Sequence, residues 1–185
     1  MPPKNRITSE NIVAAAAELV RRQGDSGLNA RALANILGCS TQPIFSNFES
    51  MEQVRGKVIE YAAKVYDGYI NDITASGKYP AYKSSGMAYI AMAKEEKELF
   101  KLLFMRDRAF EPALLSGNID PVIEIIQQAT GMSYEKAERF HLEMWVVVHG
   151  IATMIATNYL DWDMEMASDV LTDIYQGLLK RFEVM

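Results

Sequence analysis

Apolar residues recur at three- and four-residue intervals along almost the whole chain, the period of one helix face. Ile12, Ala15, Ala16, Leu19 and Val20 mark a first helix, with Thr8 or Ser9 as its N-cap and Gly24 as its stop. A short second helix is predicted from the cap residue Asn29 through Leu33, Ile36 and Leu37 to Gly38. Ser40 offers the N-cap of a third short helix carrying Ile44 and Phe45. Pro43 then falls in the first turn, where a missing N–H is tolerated. The Ser40 hydroxyl is therefore expected to accept from the Gln42 N–H.

From residue 50 the pattern lengthens. Met51, Val54, Val58, Tyr61, Ala62, Val65 and Tyr69 form one stripe of a long helix, closed by the turn-rich stretch Ser76 to Pro80. Further helices are predicted over about 81–95, 97–105 and 120–129, with Gly131 ending the last of these. Arg106 to Asp120, with Pro112, Ser116, Gly117 and Asn118, reads as a loop. Ser133 caps a long apolar helix running to about Asn158, and a final helix covers about 164–182. No strand-like alternation of useful length and no repeat interrupts this pattern, so the fold class is all-α.

Composition sharpens the picture. With 185 residues and 49% hydrophobic content, the chain can bury a core without staples. The single cysteine, Cys39, excludes an internal disulfide framework and points to a reducing compartment. It is expected to behave as a small hydrophobe rather than a redox sensor. No apolar run reaches the length of a bilayer span, and the first ten residues lack the apolar core of a signal peptide. A cytoplasmic protein with no membrane partner is expected.

Charge is the feature that changes the reading most. The net charge of −5 argues at first against a nucleic-acid partner, because phosphate affinity comes from Lys and Arg. The distribution reverses this. Residues 1–48 hold five basic and three acidic side chains, net +2, and the remainder carries −7. The basic part coincides with the three short helices. Lys4 and Arg6 precede the first of them, in a terminus expected to be unordered unless it forms an arm on DNA.

Within that part, residues 29–48 read NARALANILGCSTQPIFSNF. A short helix, a Gly-containing turn and a second short helix with a polar start is the helix-turn-helix plan. Ala34 is small enough for close crossing, and Gly38 permits a left-handed turn. Leu33, Leu37, Ile44 and Phe48 can lock the pair onto the first helix. Thr41 and Gln42 sit where side chains reach base edges in a major groove.

The span Ile12 to Val58 resembles the DNA-binding domain of TetR/AcrR-type bacterial repressors. The resemblance rests on Ala15-Ala16-x-x-Leu19, Gly24, Arg31, Leu33-Ala34, Gly38-Cys39-Ser40 and Ile44-Phe45-x-x-Phe48. It implies that Thr41 and Gln42 read bases and that Ser40 caps the recognition helix beside a phosphate. It places Asn29 and Arg31 near backbone phosphates. Phe45 stands where the family usually has a phosphate-contacting Tyr, and Asn47 where it usually has His. Asn47 keeps a donor. Phe45 has lost the hydroxyl and can only pack, so we expect it in the core with Phe48, although its position keeps it among the DNA-side candidates. Met51 replaces a common Lys, with Arg55 and Lys57 as nearby substitutes. Fewer charged contacts imply a shallow salt dependence.

The resemblance divides the chain into a helix-turn-helix DNA-binding domain over 1–48 and a helical effector-binding and dimerisation domain over 49–185. Effector candidates are Met87, Met92, Phe104, Met105, Trp145 and His149, a flexible and partly hydrophobic set that could equally fill a core. His141 and His149 lie about 12 Å apart along one helix, too far to share a metal, and each suits a satisfied core or interface position. No cofactor or metal is expected. The two late helices are apolar on more than one side, which calls for a second partner. Val147, Gly150, Ile151, Met154, Val170, Ile174 and Leu178 are the candidate dimer interface, with Gly150 expected to admit a close neighbour.

No enzyme constellation is present: no phosphate loop, paired metal-ligand motif or nucleophile elbow. The expected function is a ligand-responsive repressor that leaves a near-palindromic duplex operator when a small molecule binds. The competing reading is a helical ligand-binding or protein-interaction module without DNA binding.

Overall fold

The computed structural model describes residues 7–107 and 119–183, and among these residues the chain is all-helical. Its helices are α1 (Ser9–Gln23), α2 (Ala30–Leu37), α3 (Gln42–Asn47), α4 (Met51–Ala75), α5 (Ala81–Glu95), α6 (Lys97–Phe104), α7 (Asp120–Thr130), α8 (Tyr134–Ala156) and α9 (Met164–Glu183). Lys4, Arg6 and most of the loop expected between Arg106 and Asp120 lie outside the described residues. Contacts divide the chain into two compact units. One holds residues up to Val65 together with Glu96–Arg106, and the other holds Tyr66–Glu95 and the chain from Asp107. The first unit thus adds the start of α4 and all of α6 to the three short helices. By sequence it carries eleven basic and eight acidic residues, net +3, leaving −8 on the other.

The first unit is built from short helices with explicit ends. Thr8 caps α1: its hydroxyl accepts from the Asn11 N–H, and the Asn11 side chain accepts from the Thr8 N–H. Gly24 closes α1 at φ 70°, a conformation that favours glycine; a Cβ there would lie 2.9 Å from the Glu98 carboxylate of α6, which could swing away. Ile12, Ala16, Leu19 and Val20 of α1 are buried, as are Leu33 of α2, Ile44 of α3, Val54 and Val58 of α4 and Leu99 and Phe100 of α6, and α1 packs on α2, α3 and α6. An ion pair fastens α1 to α6. The Arg21 guanidinium donates from two nitrogens to the two Glu96 carboxylate oxygens, at 2.8 and 2.9 Å, and lies over the Tyr61 ring. Arg21 sits in the last turn of α1 and Glu96 at the start of α6, so each charge also complements its helix dipole.

In the second unit α5 is the central helix. Ser84 and every residue from Met87 to Ala93 are buried. Tyr82 and Tyr89 of α5 pair with His141 and His149 of α8, so these two helices run parallel. Lys83 donates to Ser168 and Thr172 of α9, while Lys94 donates to the Trp162 carbonyl just before α9, so α5 and α9 run antiparallel. Gly86 lets α5 approach closely: a Cβ there would meet Val148 at 3.3 Å. Phe140, Tyr175 and Phe182 close the α8–α9 side in edge-to-face contacts.

Candidate nucleic-acid interface

The turn between α2 and α3 follows the sequence in most respects. The Asn29 side-chain oxygen accepts from the Ala32 N–H at 3.0 Å, capping α2, while its amide donates to the Gly27 carbonyl. Asn29 is therefore largely committed to the protein. Gly38 takes the left-handed conformation, φ 64° and ψ 34°, and ends α2. Leu33, Ile44 and Phe48 are buried, Leu37 is half-buried, and Ile36, expected on the apolar side, is 45% exposed.

The start of α3 departs from expectation. The N-cap is Thr41, not Ser40, and no side chain caps the helix. The expected Ser40–Gln42 bond is absent. Thr41 has helical backbone angles, φ −72° and ψ −15°, so its own carbonyl takes the N–H groups of Ile44 and Phe45. Pro43 then occupies the second helical position. Ser40, Thr41 and Gln42 are all exposed. Phe45 is corrected more strongly: it is not core but 49% exposed. A six-residue helix presents one i,i+4 pair to its support, and Ile44 with Phe48 fill that role. Asn47 is exposed, but its amide donates to the Pro43 carbonyl at 2.8 Å.

The cations of the first unit are mostly spent internally. Arg22 pairs with Glu18, Arg55 with Asp25 and Lys57 with Glu60. Arg55 and Lys57 are thus partnered substitutes for the missing Lys at Met51. Arg31 is exposed and has no ion pair among the described residues. It is the cation on α2, the helix preceding the turn, left to meet an outside anion.

In the second unit the candidate residues separate. Met87 and Met92 are fully buried in α5. His149 Nδ1 lies 2.8 Å from the Tyr89 hydroxyl, and its ring stacks on Trp145 with centroids 5.0 Å apart. Trp145 is 47% exposed. His141 Nδ1 lies 3.1 Å from the Tyr82 hydroxyl. Burial lowers the His141 ring and raises the Tyr82 hydroxyl, so both stay neutral at pH 7, and the histidine tautomer sets which of the two donates. Phe104 and Met105 belong to the first unit.

Of the dimer candidates, Val147, Gly150, Met154, Val170, Ile174 and Leu178 are half-buried. Ile151 is buried within its own protomer and has no surface to offer a partner, a correction to the expected set. Among the described residues nothing lies within 4 Å of a Cβ placed on Gly150, so the close neighbour expected there is not among them.

No family model matches the chain. It is similar to an uncharacterised HTH-type transcriptional regulator, YobS of Bacillus subtilis (strain 168). Identity is 20% over 185 residues, covering 97% of this chain and 96% of the relative. The similarity therefore runs through both units rather than stopping at the helix-turn-helix. Among the described residues, no helix is long and apolar enough to cross a membrane.

Two residues escaped the sequence reading. Leu142 and Val146 of α8 are each 59% exposed, more open than any of the apolar residues named for an interface. Their signal was the i, i+4, i+8 series Leu142, Val146, Gly150, hidden by the apolar residues that surround it on every side of α8.

Proposed function

We propose that the chain is a ligand-responsive, DNA-binding transcriptional regulator of TetR/AcrR type, a cytoplasmic binding protein rather than an enzyme. The observation that carries this is the α2–α3 arrangement. A short helix held by buried Ile44 and Phe48 carries exposed Thr41 and Gln42 at its start, and the helix before it carries the exposed, unpaired Arg31. This is the composition of a major-groove reader with one phosphate contact beside it. The end-to-end similarity to a protein named as an HTH-type regulator supports the same reading.

In this account a homodimer presents two α3 helices to a near-palindromic operator, with half-sites about one helical turn apart. The open apolar side of α8, Leu142, Val146 and Gly150, together with Val170, Ile174 and Leu178 of α9, forms the dimer contact. A partly hydrophobic small molecule acts as inducer, with Trp145 and His149 as its contacts in the second unit. Operator and inducer oppose each other by linkage, so the inducer releases the protein from DNA, the behaviour proposed here for a repressor. Selection from random duplex DNA by the purified protein tests the reading. Enrichment of a near-palindrome is expected. Enrichment of nothing leaves a helical ligand-binding or protein-interaction module and overturns it.

A further inference from the structure

The outward chemistry of α3 is narrower than its sequence suggests. Ser46 Oγ donates to the Gln42 carbonyl at 2.9 Å, and Asn47 Nδ2 donates to the Pro43 carbonyl at 2.8 Å. Both side chains turn back on their own helix. Ile44 and Phe48 face the core. What α3 offers to a partner is chiefly the Thr41 hydroxyl, the Gln42 amide and a half-exposed benzyl ring, Phe45, with the half-buried Pro43 and the remaining acceptors of Ser46 and Asn47 beside them. The ring has no hydroxyl and cannot donate to a phosphate. It stands three residues after Gln42, on the neighbouring part of the same helix surface.

Resting on the reading that α3 enters a major groove, we propose that Phe45 reads sequence by covering the C5-methyl group of a thymine. The edges of guanine, adenine and cytosine present donors and acceptors in that groove, and thymine alone adds an apolar methyl. A phenyl ring set against a carbonyl or amino edge would remove that group from water without replacing its hydrogen bond, which is unfavourable. Set against the methyl, it removes apolar surface from water on both sides. Three helical residues rise about 4.5 Å, little more than one base-pair step of about 3.4 Å. The thymine therefore lies within two base pairs of the base read by Gln42.

The test uses the full-length protein and a duplex that it selects from a random pool. Each thymine is replaced in turn by deoxyuridine, which deletes only the methyl. At one thymine per half-site, within two base pairs of the position whose preference Gln42→Ala relaxes, binding should weaken about fourfold, and about fifteenfold when both half-sites are changed. In Phe45→Ala the same replacements should be neutral within twofold, and Phe45→Leu should keep part of the methyl sensitivity. Thermal melts confirm that both variants stay folded. A wild type insensitive to every deoxyuridine, or a penalty that persists in Phe45→Ala, overturns the proposal while leaving operator binding intact. Failure to select any duplex overturns the operator reading and this proposal together.

Discussion

The two units solve opposite problems with the same kind of helix. The first carries net +3 yet ties its charges inward: Arg21 to Glu96, Arg22 to Glu18, Arg55 to Asp25 and Lys57 to Glu60. Its core is mainly aliphatic, with Phe48 and Phe100 added, and its short helices depend on caps and on left-handed glycines. The second carries −8 and holds polar groups inside, with tyrosine–histidine pairs between α5 and α8, while leaving Leu142, Trp145 and Val146 of α8 open to solvent. The lesson is that net charge is a poor guide to a binding face. The first unit keeps a few uncommitted groups, Arg31, Thr41, Gln42 and Phe45, and these count for more than its surplus of cations. The second exposes apolar surface where a partner copy would be needed.

The largest expected effect strikes the open face of α8. Leu142→Asp with Val146→Asp should leave a folded monomer by analytical ultracentrifugation, and loss of the second half-site should weaken operator binding by about a thousandfold. A variant that stays dimeric would remove this face from the contact. Next comes the aliphatic core: Leu33→Ala should lower unfolding free energy by about 3 kcal/mol in urea titrations, because the site is fully buried. Arg21→Ala should lower it by about 2 kcal/mol, since it removes two charge-assisted bonds to a Glu96 that is mostly shielded from water. An unchanged urea midpoint would show that the α1–α6 clamp adds nothing.

The smallest effects probe what each unit keeps in reserve. Arg31→Ala should make the plot of log affinity against log salt shallower by about 2 per dimer, one phosphate from each protomer, with no change in the melting curve. In the second unit, His141 has a folded-state pKa below its unfolded value because it is buried. The unfolded chain therefore binds more protons as pH falls below about 6.5, and stability should fall with it. The pH dependence of the melting temperature between 7 and 5 should be weaker in His141→Gln, which can still hydrogen-bond the Tyr82 hydroxyl. An identical slope in the two proteins would assign the acid sensitivity elsewhere.

Local rules carried most of the fold into view. Thr8, Asn29 and Ser133 each cap the helix that their position predicts, and Gly24, Gly38 and Gly131 end helices at positive φ, because capping is decided within four residues. The same rule failed at Ser40, where helical angles at Thr41 and a proline at the second helical position move the start of α3 by one residue. Phe45 was misread because apolarity alone does not reveal how many side chains a six-residue helix can bury. Met87 and Met92 stayed ambiguous for the opposite reason: α5 is enclosed on most sides, so periodicity cannot distinguish its core from a pocket wall. Gly150 pointed to a missing neighbour, and the open space around it is consistent with one outside the protomer.

The central claim is that the exposed start of α3 reads duplex DNA. Parallel selections from random duplexes by the wild type and Gln42→Ala test it most directly. The account predicts a near-palindrome with half-sites about one helical turn apart, and in Gln42→Ala the same palindrome with preference relaxed at one position per half-site, at an affinity loss of about 1–3 kcal/mol for that base. No enriched palindrome, or identical base preferences in the two proteins, would contradict it.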